Sequence, residues 1–271
     1  MSAERGRPQA PQTAAAEEVS IAPDSGLGSF LDFILDLFEA ITSTELKLSM
    51  AEVNSGTRSS IGRLILGPAL ITLAVTLLRL VGELSHWPKT WFNPAPGGPG
   101  PMLFITTVLA PIFGAYFAFR LARIGEGPGN PARAFGLALL GAVMVVLGFY
   151  VSFLLGARST GKLELGYLMM AAAAALQFPA WSRFSKTQAA YALSVRIPIV
   201  VITFLALRGH WGTHFDNVQA RYAQMGFWPA YLYFALLPQL VFWVSYTVVS
   251  GSLLGTIAAS FVDRGPPQAT S

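Results

Sequence analysis

Apolar residues in this chain come in long uninterrupted blocks, broken by short polar stretches. Blocks of about 18 or more apolar residues are the mark of membrane-spanning helices. Six candidate spans follow, near residues 61–82, 102–122, 134–156, 163–182, 188–207 and 229–260. The last exceeds one straight crossing of about 20 residues, and Pro229 and Pro238 predict an interfacial start and a kink. Between the first two spans, "WPKTWFNPAPGGPGP" predicts a stiff, non-helical loop. The expected fold class is therefore all-α: a polytopic integral membrane protein of about six transmembrane helices over 58–262, preceded by an amphipathic helix.

That first helix follows a different pattern. Over 25–53, Ser25, Ser29, Asp32, Asp36, Glu39 and Ser43 fall three or four apart. Phe30, Phe33, Ile34, Leu37, Phe38 and Ile41 fill the opposite face. Three acids crossing about 17 residues make it a poor span. Thr42 and Glu45 have capping-box spacing and predict a second short helix to about Val53. Residues 1–24 have no apolar core and read as a disordered tail, with another short tail over 263–271. "LFEAITSTELKLSMAEV", followed by an apolar helix, resembles the front end of small bacterial holin-like membrane proteins. The likeness ends with the first span and implies a shared way of entering a membrane, with no function attached.

Composition changes the picture by exclusion. Only 12% of the residues are charged, and there is no cysteine, so thiolate chemistry and disulfides drop out. Residues 1–53 carry a net charge of −6 and the remainder +10. Arginines at helix ends account for the basic excess, so nucleic acid is not an expected partner. Arg58, Arg63, Arg120, Arg123, Arg133, Arg183, Lys186 and Arg264 fall on one side of the expected topology. Arg79, Lys89, Arg158, Lys162, Arg208 and Arg221 fall on the other. The positive-inside rule then makes both termini cytoplasmic. Fourteen arginines against four lysines suit a GC-rich bacterial genome and a cytoplasmic (inner) membrane. Asp32, Asp36 and Glu39 would be repelled by anionic lipid and are expected to dock on the basic cytoplasmic loops or on a partner's. The expected partners are the bilayer and a membrane protein or second copy.

Candidate chemistry is sparse. After residue 53 the carboxylates are Glu83, Glu126, Glu164, Asp216 and Asp263, all in loops or at span ends. No carboxylate relay crosses the midplane, and no histidine lies in a span to act as a base. Gly251 and Gly255 have small-xxx-small spacing for close helix packing. Arg196 is the one deep charge; with Gln239 it is a candidate binding residue, or it is an arginine snorkelling to the headgroups. "RGHWGTHFD" puts His210 and His214 four apart, with Asp216 two further on. With His86 they form a candidate outer-face site for a divalent metal, the one cofactor this sequence offers. Against it, Gly212 interrupts a helix there, and structural roles explain such histidines simply. The "SHW" and "GHW" pair at the ends of the first and fifth spans also predicts a weak internal repeat. These features favour a non-enzymatic membrane component, an assembly subunit or organiser. The alternatives are a small-molecule or lipid transporter and a metal-dependent enzyme.

Overall fold

The computed structural model describes residues 60–155 and 160–262. The amphipathic segment, with its docking residues Asp32, Asp36 and Glu39, lies outside the described residues, as do both expected tails. Among the described residues every regular element is helical: α1 (Ile61–Leu84), α2 (Pro101–Arg123), α3 (Pro131–Leu155), α4 (Thr160–Ala175), α5 (Ser182–Gly209) and α6 (Phe227–Ser260). All except α4 are long and apolar enough to cross a membrane. Large apolar side chains point outward along them; Phe104, Val146 and Leu168 are each about two-thirds exposed. An apolar exterior suits lipid, where backbone groups must be satisfied within the helix.

The expected span over 163–182 is different. α4 has 16 residues, about 24 Å at 1.5 Å per residue, short of a hydrocarbon core near 30 Å. Turns over 176–180 contain Pro179, which cannot continue a helix, and α5 begins at Ser182, earlier than expected. Trp181 donates its indole N–H to the Glu126 carbonyl (2.8 Å), and Arg183 pairs with the Glu126 carboxylate (3.2 Å).

Helix starts follow local chemistry. Ser60 caps α1 by accepting from the Arg63 N–H, and Asn130 caps α3 by accepting from the Arg133 N–H. Pro101 and Pro131 occupy first-turn positions where no backbone donor is needed. The proline-rich loop before α2 is non-helical.

α6 runs through the centre, packed on α2, α3, α4 and α5, while α1 lies against α5 and α2. α2 and α6 approach most closely at Gly114 and Gly251, where a side chain on either would collide with its surroundings. Three π-helical turns interrupt the regular winding: 150–155 at the end of α3, and 232–236 and 238–242 in α6. Pro238 has no N–H to donate four residues back, and the backbone widens there instead of breaking.

Candidate functional site

At the C-terminal end of α1, Arg79 and Glu83 sit one turn apart, an ideal spacing for an ion pair. Arg79 Nε donates to Glu83 Oε1 (3.0 Å), and the carboxylate is wholly buried. Glu83 also accepts from the His214 backbone N–H (2.8 Å) and lies 2.7 Å from His214 Nδ1. Arg79 Nη2 donates to the Gly98 carbonyl (2.7 Å). Gly98 holds φ +53°, and a Cβ there would run into the guanidinium. The buried Glu83–Arg79 pair thus fastens the loops after α1 and α5 to the end of α1. Burial lowers the His214 pKa and Arg79 lowers it further, against the raising influence of Glu83 and Asp216. His214 is therefore held neutral, its Nδ1–H donating to Glu83.

The other histidines close helices. His86 has φ +54° and ends α1 in a Schellman motif: its N–H donates to the Glu83 carbonyl (3.2 Å) and the Trp87 N–H to the Gly82 carbonyl (2.9 Å). His210 has φ +50° and caps α5. The two His-Trp dipeptides share this left-handed histidine, the feature the sequence echo detects. Asp216 folds back on its own loop, accepting from the Gly212 and Thr213 N–H groups and the Thr213 hydroxyl. Asn217 donates to the Pro94 carbonyl and joins the two loops (2.9 Å). Among the described residues no three His, Cys, Asp or Glu stand together as a metal-ligand group. His86, His210, His214 and Asp216 are each engaged in closing a helix or a loop.

Beneath this rim lies a cavity of about 450 Å³ that reaches from the loops into the bundle. Arg196, Gln239 and Trp243 line its inner part. Arg196 is fourteen residues into α5, about 21 Å from its start, and only 8% exposed. Its Nη1 donates to Gln239 Oε1 (3.2 Å), and the guanidinium stacks 4.5 Å over the Trp243 ring. That geometry replaces the snorkelling reading: the head turns into the bundle. Thr72, Thr76, Thr106, Thr107 and Thr203 add hydroxyls to the walls, and Phe149, Phe153, Phe234 and Phe242 add aromatic surface. All three π-helical turns contribute wall residues (Phe153, Phe234 and Gln239 among them). Widened turns of this kind re-aim side chains and concentrate at functional sites.

The cavity's electrostatics are one-sided. Arg79, Arg196 and Arg221 line it, and no carboxylate does. Arg79 is matched by Glu83, but Arg196 and Arg221 have no ion-pair partner among the described residues. The volume suits a small ligand, the two cations an anionic group, and the aromatic wall an apolar tail. Sequence reasoning found Arg196 and Gln239, which the fold joins across 43 residues. It missed Arg79, Glu83 and Arg221 as site residues. The Arg79–Glu83 spacing at the end of an apolar helix was the readable signal. Comparison with family models, curated proteins and solved structures gives no match to this chain.

Proposed function

We propose that this chain is a carrier-type integral membrane protein that takes a small amphipathic anion into its helix bundle from the rim formed by the outer loops. The carrying observation is Arg196, buried halfway along α5 and turned to a cavity without a carboxylate. A lone cation in the bundle interior is costly without a function or an anionic partner. We place the protein in a bacterial cytoplasmic membrane with both termini cytoplasmic, on its arginine-rich composition and on the distribution of loop cations.

The test uses the full chain in phosphatidylcholine nanodiscs, with decyl phosphate and decanoate as probes and decyl maltoside as the neutral control. At about a hundredfold excess over Kd the anions should raise Tm by about 5 °C. Arg196→Gln should weaken binding at least tenfold. Arg196→Lys should recover only part, because an ammonium cannot combine the planar stack on Trp243 with the Gln239 contact. Equal stabilisation by decyl maltoside, or wild-type affinity in Arg196→Gln, overturns the reading.

A second reading, an assembly subunit docked through Asp32, Asp36 and Glu39, draws support from the opposite face. There the fold gathers Arg120 and Arg123 from α2 and Arg183 from α5 beside Glu126. The two readings are compatible, since they use opposite ends of the bundle.

A further inference from the structure

We infer that the cavity contains a second anion site nearer its mouth, built from Arg221, Tyr222 and Tyr167, which receives the same headgroup that Arg196 holds deeper in. The inference rests on the carrier reading for the identity of the ligand, but on separate residues. Arg221 and Tyr222 line the cavity. The Arg221 guanidinium is oriented by Gln219, whose Oε1 accepts from Nε (3.0 Å), and lies 4.6 Å from the Tyr222 ring centre and 5.5 Å from that of Phe153. Those contacts orient the fork beside Tyr222 at the cavity wall, and a guanidinium so placed can take an oxyanion. Tyr167 packs in the same cluster as Tyr222 and Phe153. The two tyrosines are 3% and 4% exposed; Tyr222 lies within reach of the Arg221 fork, Tyr167 stands behind the cavity wall, and neither hydroxyl has an acceptor to donate to.

A buried hydroxyl without a partner is destabilising and calls for an explanation. Two of them beside one guanidinium make a set of donors with nothing to donate to. Burial raises the Tyr222 pKa despite Arg221, so this phenol stays a donor. The nearest acid, Glu164, is exposed, accepts from the Tyr233 hydroxyl (3.2 Å) and is not part of the cavity wall. A phosphate or carboxylate head supplies the missing acceptors, and its tail meets Phe153, Phe234 and Phe242. The cavity then offers two stations for one headgroup, at the rim and at mid-helix.

The experiment measures decyl phosphate binding to the full chain in nanodiscs by titration calorimetry. It compares wild type, Tyr167→Phe, Arg196→Gln and Arg196→Gln combined with Tyr167→Phe or Arg221→Gln. Without the probe, Tyr167→Phe should keep or raise Tm, because it removes only an unpaired buried hydroxyl. Arg196→Gln should keep weak binding, and adding either second change should reduce that remainder about tenfold. Competition by inorganic phosphate, or by phosphatidate placed in the nanodisc, identifies a free anion or a lipid as the source of the head. No residual binding in Arg196→Gln, or a residue untouched by the second changes, overturns the outer site while leaving the inner one standing. Wild-type binding in Arg196→Gln removes the inner site instead, and Tyr167→Phe then decides the outer one alone.

Discussion

Glu83 is a carboxylate sealed into an apolar wall, and its stability there depends on three donors from two segments of chain, Arg79 of its own helix and the backbone and ring of His214. His214 is the one that acid can spoil. Its folded pKa is below the ordinary 6.5 because burial disfavours the imidazolium. The unfolded chain therefore binds a proton that the folded chain resists. Folding stability is full above the ordinary histidine value and falls as pH drops through it toward the lower folded value. Tm should decline between about pH 7.5 and about pH 5.5, and His214→Gln should flatten that decline, because an amide donates to Glu83 without titrating in this window. A slope unchanged in His214→Gln would assign the effect elsewhere. Half of this cluster was legible: Arg79 and Glu83 share a helical face by spacing alone. His214 lies 131 residues further on, and no periodicity reports such a meeting.

At the scale of elements, helices declared themselves through block length, caps and prolines, because those signals are local. Where α4 stops was readable too, since Pro179 cannot continue a helix; what the turn meets, the Glu126 carbonyl that accepts from Trp181, is tertiary information. The two π turns of α6 were legible only as a proline in a block too long for one span, and the one at 150–155 left no mark in the sequence. The small-residue spacing at Gly251 and Gly255 did anticipate a close crossing, though not its partner, Gly114 on α2. There a Cβ on Gly114 would meet the Gly251 backbone, which has no rotamer with which to yield. Gly114→Ala should lower stability by about 1–3 kcal/mol. Gly136→Ala, where nothing lies within 4 Å, should be neutral or slightly stabilising. Thermal melts of the two variants side by side check the crossing, and equal Tm values would refute it.

For the whole molecule, the bundle has two unlike ends. One closes over a cationic cavity through Glu83, Gly98 and His214; the other gathers arginines around Glu126. On the docking reading, the acids Asp32, Asp36 and Glu39 would complement the second end. Photo-cross-linkers at positions 32, 36 and 39 should reach the loops at 120–133 or 183–186 of the same chain. Cross-links confined to lipid would assign the stripe to the membrane interface instead. Hydropathy made the architecture readable, since the bilayer imposes the same demand on every span. The cavity was not readable, because it arises where three π turns from two helices face the same space.

The pairing of Arg196 with α6 also bears on how the chain is made. α5 is synthesised ahead of Gln239 and Trp243, since its arginine precedes them by 43 and 47 residues. An arginine at the centre of an inserting helix is disfavoured by about 2.5–3.5 kcal/mol. α5 therefore enters the membrane with an unmet liability, relieved only when α6 arrives beside it. The seating of α5 is therefore expected to depend on α6, so that the charge lining the finished cavity also ties the assembly of the two helices together.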